Sequence, residues 1–297
     1  MLRGAAFARL QGGHVKGKTV LITGATAGIG RITARDLAAA VAHILLVVRN
    51  REKAEATREW IIAQAGGGSV ELIIADLSSL EQVRSVAKQV NSRAACLDVL
   101  VNNVGAVFQG RRESPDGIEM TLALNHCTPF LLTNLLLDAL RKRTPSRIVT
   151  VSSDAHLRAV MNWDDLEGRQ GYRTWTAYGQ SKLANLLFTY ELAHRLDGSG
   201  ITANALHPGF VASEFGKNNG GLLKVGISVA QRLGGISVEA GARTSVYLAS
   251  SQEVEGVTGK YFVKCRAQES SPASRDRESM RRLWDISAVM TGLAVKD

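Results

Sequence analysis

Short apolar, β-branched runs recur along this 297-residue chain, and between them lie longer stretches whose apolar positions fall three and four apart. The runs predict strands at 19–23, 44–48, 70–75, 97–101, 147–151, 201–206 and 261–263. The amphipathic stretches predict helices from the first glycine turn through Ala40, and at 52–65, 80–90, 117–140 and 178–196. Strands that alternate with helices imply a mostly parallel sheet of about seven strands, covered on both faces and joined by right-handed crossovers. No internal repeat, low-complexity tract or linker interrupts the pattern. The expectation is one doubly wound α/β domain over 16–297, with 1–15 as a flexible N-terminal segment. One detail disagrees: the first helix ends in Ala39-Ala40-Val41-Ala42, with no glycine where a left-handed C-terminal cap would be placed.

Composition narrows the class. Apolar content of 45% with 21% charged residues is that of a globular protein. The formal net charge of +9 is compatible with an anionic partner. The basic residues are scattered, apart from Arg141-Lys142-Arg143 and a tail around Arg275 to Arg282, so a phosphorylated small ligand fits better than nucleic acid, and no nucleic-acid partner is expected. Cys96, Cys127 and Cys265 are odd in number and far apart, without paired metal-ligand spacing, so no metal is expected and a reducing, cytoplasmic compartment fits. No run of eighteen uncharged apolar residues predicts a membrane span. Met1 to Gly13 carries Arg3 and Arg9 and no acid; a targeting segment and a frayed terminus are both readings of it.

Two stretches carry candidate chemistry. The strand at 19–23 runs directly into Gly24-Ala-Thr26-Ala-Gly28-Ile29-Gly30 and then a helix, an arrangement that cradles phosphate. Glycine tolerates positive φ and lets backbone N–H groups approach a pyrophosphate, whose charge the helix N-terminus also favours. Further along, Tyr178 and Lys182 stand four residues apart at the start of a helical run, hence on one face. An adjacent ammonium would lower the phenol from its reference pKa of about 10 towards the range of a general acid or base. A solvated helix face satisfies the same spacing.

With the glycine turn, Asn102-Asn-Val-Gly105, Ser152-Ser153 and Tyr178-x-x-x-Lys182 in this order, the chain resembles the short-chain dehydrogenase/reductase family over roughly residues 16 to 265. It looks most like the retinol dehydrogenase-like branch, on Ser152-Ser-Asp-Ala-His156, Tyr178-Gly-Gln-Ser-Lys-Leu-Ala-Asn185, and Tyr247-Leu-Ala-Ser-Ser through Gly256-Val-Thr-Gly-Lys-Tyr261. The resemblance implies a Rossmann fold and a nicotinamide cofactor. Tyr178 would exchange a proton with the substrate oxygen; Lys182 would lower the tyrosine pKa and bind the nicotinamide ribose. Ser153, with Ser152 as the other candidate, would hydrogen-bond the substrate oxygen, and Asn125 would help hold a proton-relay water. The cofactor positions it implies are Gly24, Thr26, Gly28, Ile29, Gly30, Asp76, Leu77, Asn102, Gly105, Pro208, Gly209, Val211 and Ser213, together with Tyr178 and Lys182. Asp76 matches the position that contacts adenine, and could equally cap the following helix. Ser213 stands where a threonine is common and Val104 where alanine is usual; neither removes a reacting group.

The cofactor choice rests on position 49. An acid about twenty residues beyond the glycine turn suits NAD, and an arginine accommodates the 2′-phosphate of NADP. Here that residue is Arg49, and Arg31 directly after Gly30 adds a second cation, so NADP is expected rather than NAD. The substrate side is shaped by two segments. Residues 161–175 hold Trp163, Tyr172 and Trp175; residues 210–235 have no acid after Glu214 and hold Leu222, Leu223, Val225, Ile227 and Val229 beside Lys217, Lys224 and Arg232. The second segment could be a lid over a hydrophobic alcohol, aldehyde or ketone, a contact with a membrane surface, or a core-packing helix. The reading is an NADP-dependent oxidoreductase for such a substrate, with a ketosteroid or other carbonyl reductase as an alternative enzyme and a cofactor-binding sensor or scaffold without turnover as the alternative class. The resemblance also implies pairing into a homodimer through the two long helices.

Overall fold

The computed structural model describes residues 14–93, 96–211 and 235–294. Its frame is a single eight-stranded sheet in the order β3-β2-β1-β4-β5-β6-β7-β8. The strands are β1 (Thr19–Thr23), β2 (His43–Val48), β3 (Ser69–Ile74), β4 (Val99–Asn102), β5 (Ser146–Val151), β6 (Ile201–His207), β7 (Tyr261–Val263) and β8 (Arg266–Gln268). All pairs from β3 through β7 are parallel, and β8 returns antiparallel on β7. The order reverses direction beside β1, which places a crevice at the carboxyl ends of β1 and β4.

The helices are α1 (Gly28–Ala39), α2 (Arg51–Ala65), α3 (Leu80–Arg93), α4 (Met120–Arg141), α5 (Thr174–Arg195), α6 (Val238–Ser250) and α7 (Arg277–Thr291). Side-chain alternation in the strands builds two cores. Val20, Ile22, Ile44 and Leu46 point to one face and pack with Leu37, Ile61 and Val246; Leu21, Leu45 and Val47 point to the other and pack with Val86, Phe130, Phe188 and Trp284. Burial on both faces is why these strands read as continuous apolar runs. Helix α4 is long and apolar enough to cross a membrane by length and composition, yet 72% of its apolar window is buried inside this fold. Its sequence serves the core.

The sheet has one strand more than the sequence pattern predicts. β8 is Arg-Ala-Gln, exposed throughout, so no apolar alternation marks it. The two residues that turn the chain from β7 into β8, Lys264 and Cys265, have φ of 50° and 61°, a left-handed pair that Asn and Gly would normally announce. Two helices also lay outside the expected set, α6 and α7. The basic tail around Arg275 to Arg282 is largely the start of α7, capped by Asp276, whose carboxylate accepts from Ser279 N at 2.8 Å, and closed by Gly292 at φ 58°. Its stripe of Met280, Leu283, Trp284, Ser287, Ala288 and Thr291 is buried at helical spacing.

The missing glycine at the end of α1 has a structural answer. Val41 itself takes the left-handed conformation, φ 64°, with its N–H donating to Ala38 O and Ala42 N–H donating to Leu37 O. A β-branched residue is strained there. The cap geometry is kept and the residue that suits it is absent.

Candidate active site

The glycine turn is shaped by close approach. Gly24 and Gly28 have positive φ, 70° and 57°. A Cβ on Gly30 would lie 2.5 Å from Asn103 Nδ2 and 2.8 Å from Gly24 O, so only hydrogen fits. Ala27, at the N-cap of α1, makes no side-chain cap bond, which leaves the first N–H groups of that helix to an anion. Thr26 lends its carbonyl to the Thr57 hydroxyl of α2 at 3.5 Å. On the far side, a Cβ on Gly241 of α6 would meet Val211 Cγ2 at 2.6 Å and Ile29 Cγ2 at 2.9 Å, so Val211 and Ile29 converge from distant parts of the chain. Pro208 and Gly209, the latter with φ 94°, lead from β6 to Val211, which bridges to Ile236. Ser213 lies outside the described residues.

The two asparagines at the end of β4 have different partners. Asn102 is buried and donates to the Thr133 hydroxyl of α4 at 2.9 Å, which ties the strand end to that helix. Asn103 is not among the residues that the sequence pattern singles out. Its amide donates to Thr23 O at 2.7 Å and Gly24 O at 3.0 Å, while the Thr23 hydroxyl accepts from the Asn103 and Val104 N–H groups, both at 3.0 Å. These bonds lock the glycine turn to β4. The duplicated asparagine at a strand end was the available signal.

Lys182 and Asn125 meet beside Gly105, whose added Cβ would lie 3.1 Å from Lys182 Nζ and 3.4 Å from Asn125 Oδ1. Asn125 falls in a π turn of α4, Ala123–Cys127. Its amide grips Ala106 through both backbone groups, at 2.8 Å and 2.9 Å, and donates to Ser181 Oγ at 3.0 Å. Lys182 is buried, donates to Val151 O at 3.1 Å and sits 5.7 Å from the centre of the Tyr178 ring. The serine pair is resolved by geometry. Ser152 is buried and bonded to Lys182 O at 2.8 Å, whereas Ser153 caps the short 3-10 helix Asp154–Arg158 and hydrogen-bonds the Tyr178 phenol. Ser153 is therefore the serine at the tyrosine.

The electrostatics differ from the sequence expectation that Lys182 lowers the phenol. Burial raises the Tyr178 pKa above its usual value; the Ser153 hydroxyl pulls it down and the Asp154 carboxylate adds to the rise. Burial also lowers Lys182 to about 8. Desolvation favours the neutral form of each group.

Past the carboxyl ends of β2 and β3, Asp76 accepts from Ser78 N at 3.0 Å and Ser78 Oγ at 2.8 Å, closing the turn before α3, and its other oxygen is 3.9 Å from Arg49 Nη1. The Arg49 side chain is 78% exposed. Leu77 is buried and offers only backbone. Arg31 lies with its guanidinium carbon 4.5 Å from the centre of the Trp60 ring. Of the aromatic residues expected on the substrate side, Trp163 packs under Arg282 and Tyr172 donates to Phe108 O at 3.0 Å, so both hold structure. Trp175 is 54% exposed and sets its edge on Tyr178, ring centres 6.1 Å apart. Leu157, Val160 and Phe210 are exposed apolar side chains as well. Of the 210–235 segment, residues 212–234 lie outside the described residues.

Comparison with known proteins agrees with this geometry. The short chain dehydrogenase family model matches residues 18–221. Retinol dehydrogenase 14 of Homo sapiens is 42% identical over 301 residues, spanning 95% of this chain and 88% of that protein. Among solved structures, an uncharacterized protein from Mycobacterium Paratuberculosis superposes with a TM-score of 0.75 at 34% identity, covering 95% of this chain and 97% of its own. The NADP active-site complex of Pseudomonas aeruginosa RhlG superposes with a TM-score of 0.67 at 28% identity, covering 84% of this chain and 94% of its own.

Proposed function

The chain belongs to the short-chain dehydrogenase family, whose members are nicotinamide-dependent oxidoreductases, and on that premise we propose that it uses NADP to interconvert a hydrophobic alcohol with its aldehyde or ketone. The observation that carries this reading is the cluster at Gly105: Tyr178 bonded to Ser153, with Lys182 and Asn125 lining the space beside the glycine. Bound NADPH would supply the hydride. Tyr178, whose phenol burial keeps protonated near neutrality, gives a proton to the substrate oxygen in the reducing direction and takes it back in the oxidising one. Ser153 is held by its cap position to hydrogen-bond that same oxygen. Lys182 binds the nicotinamide ribose, and Asn125, fixed by its two bonds to Ala106, holds the path by which the proton is replaced.

The glycine turn suits a pyrophosphate, since Gly24 and Gly28 take positive φ and the N-cap of the helix that follows makes no side-chain bond to its first N–H groups. Support for NADP over NAD is the exposed Arg49 guanidinium at the end of β2, with Arg31 nearby in sequence to the cradle and an NADP complex among the similar structures. Support for a hydrophobic substrate is the exposed Trp175 beside Tyr178, and the name of the relative, retinol dehydrogenase.

The test is a fluorescence titration with NADPH and NADH, followed by turnover of hydrophobic aldehydes and ketones by wild type and Tyr178→Phe. Loss of turnover by about a thousandfold with cofactor binding kept is the expected result. Binding without turnover across the panel would overturn it.

A further inference from the structure

Three arginines lie around the adenosine end, and they are not equivalent. Arg35 is spent on Asp36, with Nη2 at 2.7 Å and Nε at 2.8 Å from the same carboxylate oxygen. Arg49 is exposed and stands at 3.9 Å from Asp76, the limit of an ion pair. Arg31 has no acidic partner within ion-pair distance among the described residues, and its Nε is buried without a hydrogen-bond partner. What Arg31 has instead is Trp60, whose ring centre is 4.5 Å from its guanidinium carbon. The same ring is 5.9 Å from Arg35.

Trp60 reaches this place through α2. Thr57 and Trp60 are three residues apart on one face of that helix, and Thr57 bonds the carbonyl of Thr26 in the glycine turn. Trp60 therefore sits one helical turn further along the face that already touches the phosphate cradle, above the first turn of α1. A guanidinium stacked on an aromatic face keeps its in-plane N–H groups for a planar, two-point acceptor, and it loses little side-chain freedom when that acceptor arrives.

We propose that Trp60 is a positioning residue for recognition of the ribose 2′-phosphate: its ring holds the uncompensated Arg31 guanidinium beside the cradle, so that Arg31 and the exposed Arg49 receive the phosphate together, the first held by the ring and the second free of it. The proposal rests on the NADP reading above. It also assigns the sharing of one ring by two arginines a purpose, because Asp36 neutralises Arg35 and so removes the like charge that would push Arg31 off the ring.

The test is isothermal titration of 2′,5′-ADP and 5′-AMP, which differ only by the 2′-phosphate, into wild type, Trp60→Leu, Trp60→Phe and the same substitutions in an Arg31→Met background. Trp60→Leu should weaken 2′,5′-ADP about five- to tenfold and leave 5′-AMP within about twofold. Trp60→Phe keeps a weaker aromatic face and should weaken 2′,5′-ADP by about twofold, which also serves if the leucine variant does not fold. In the Arg31→Met background neither change should alter the ratio of the two affinities. Equal loss of both ligands, or an unchanged ratio in a wild type that prefers 2′,5′-ADP, overturns the role of Trp60 alone. A wild type that binds both ligands equally overturns the NADP reading and this proposal with it.

Discussion

The cofactor side and the substrate side of the crevice are built on opposite terms. At the glycine turn the contacts are backbone-rich and cross-tied: Asn103 and Thr23 make four bonds between the ends of β1 and β4, and Gly30 has no room for a methyl group. Beside Tyr178 stands Trp175, edge-on with ring centres 6.1 Å apart and 54% exposed. One side has no room for a side chain at Gly30, and the other presents an exposed ring. A fold that keeps one dinucleotide and many substrates needs this division, because affinity for the shared ligand comes from fixed backbone while selectivity comes from side chains at the rim.

The comparison breaks most severely on its rigid side. Gly30→Ala should destabilise the protein by about 3 kcal/mol, since the new Cβ meets backbone at Gly24 as well as the Asn103 amide, and should abolish nucleotide binding at concentrations that saturate the wild type. Thermal unfolding with and without NADPH checks both. An Ala variant of ordinary stability would mean the turn can open.

Lys182 sharpens the contrast through pH. Its pKa is lowered from 10.5 to about 8 in the folded protein, so between those values the unfolded chain binds more protons and stability rises with pH. Below pH 8 the buried charge is a full penalty. Lys182→Met lacks this penalty, so it should exceed the wild type in stability at pH 7, and the gap should narrow by about 2–3 kcal/mol as pH rises to 10. Urea denaturation at several pH values measures it; a gap independent of pH would show that the ammonium is not desolvated.

On the open side a smaller effect is expected. Trp175→Ala should raise KM for a bulky apolar substrate about tenfold and for a small one little, with kcat nearly unchanged and the fold intact. A matched rise for both substrates would move Trp175 from the wall to the support of Tyr178.

How much of this was readable from the chain follows the range of each interaction. β1, the glycine turn and α1 are contiguous, so apolar run, glycines and helix appear together in the sequence. Tyr178 and Lys182 sit one turn apart and share a face by helix geometry alone. Asn103 and Trp60 escaped notice because their partners are 79 or 80 residues distant in one case and on another helix in the other. The rise at Tyr178 is out of the sequence's reach for a related reason: spacing reveals a neighbouring charge, and burial is decided by the whole fold. β8 was invisible because its turn uses Lys264 and Cys265 in a conformation their types disfavour.

The smallest effect belongs to that same class of local mismatch. Val41→Gly should raise stability by about 1 kcal/mol, the left-handed strain relieved less the entropy that glycine adds to the unfolded chain. It lies away from the crevice and should leave nucleotide affinity unchanged, which the titration used above would verify.

β8 has one more consequence. Without it the sheet would finish at β7, Tyr-Phe-Val, presenting apolar residues and a row of unpaired backbone groups to any other extended chain. With it, the sheet finishes in a three-residue strand that is short, exposed and begins with Arg266. Such a border is a poor template for further strands, so the hairpin acts as a hem that keeps neighbouring molecules from being stitched on during synthesis and in a crowded solution.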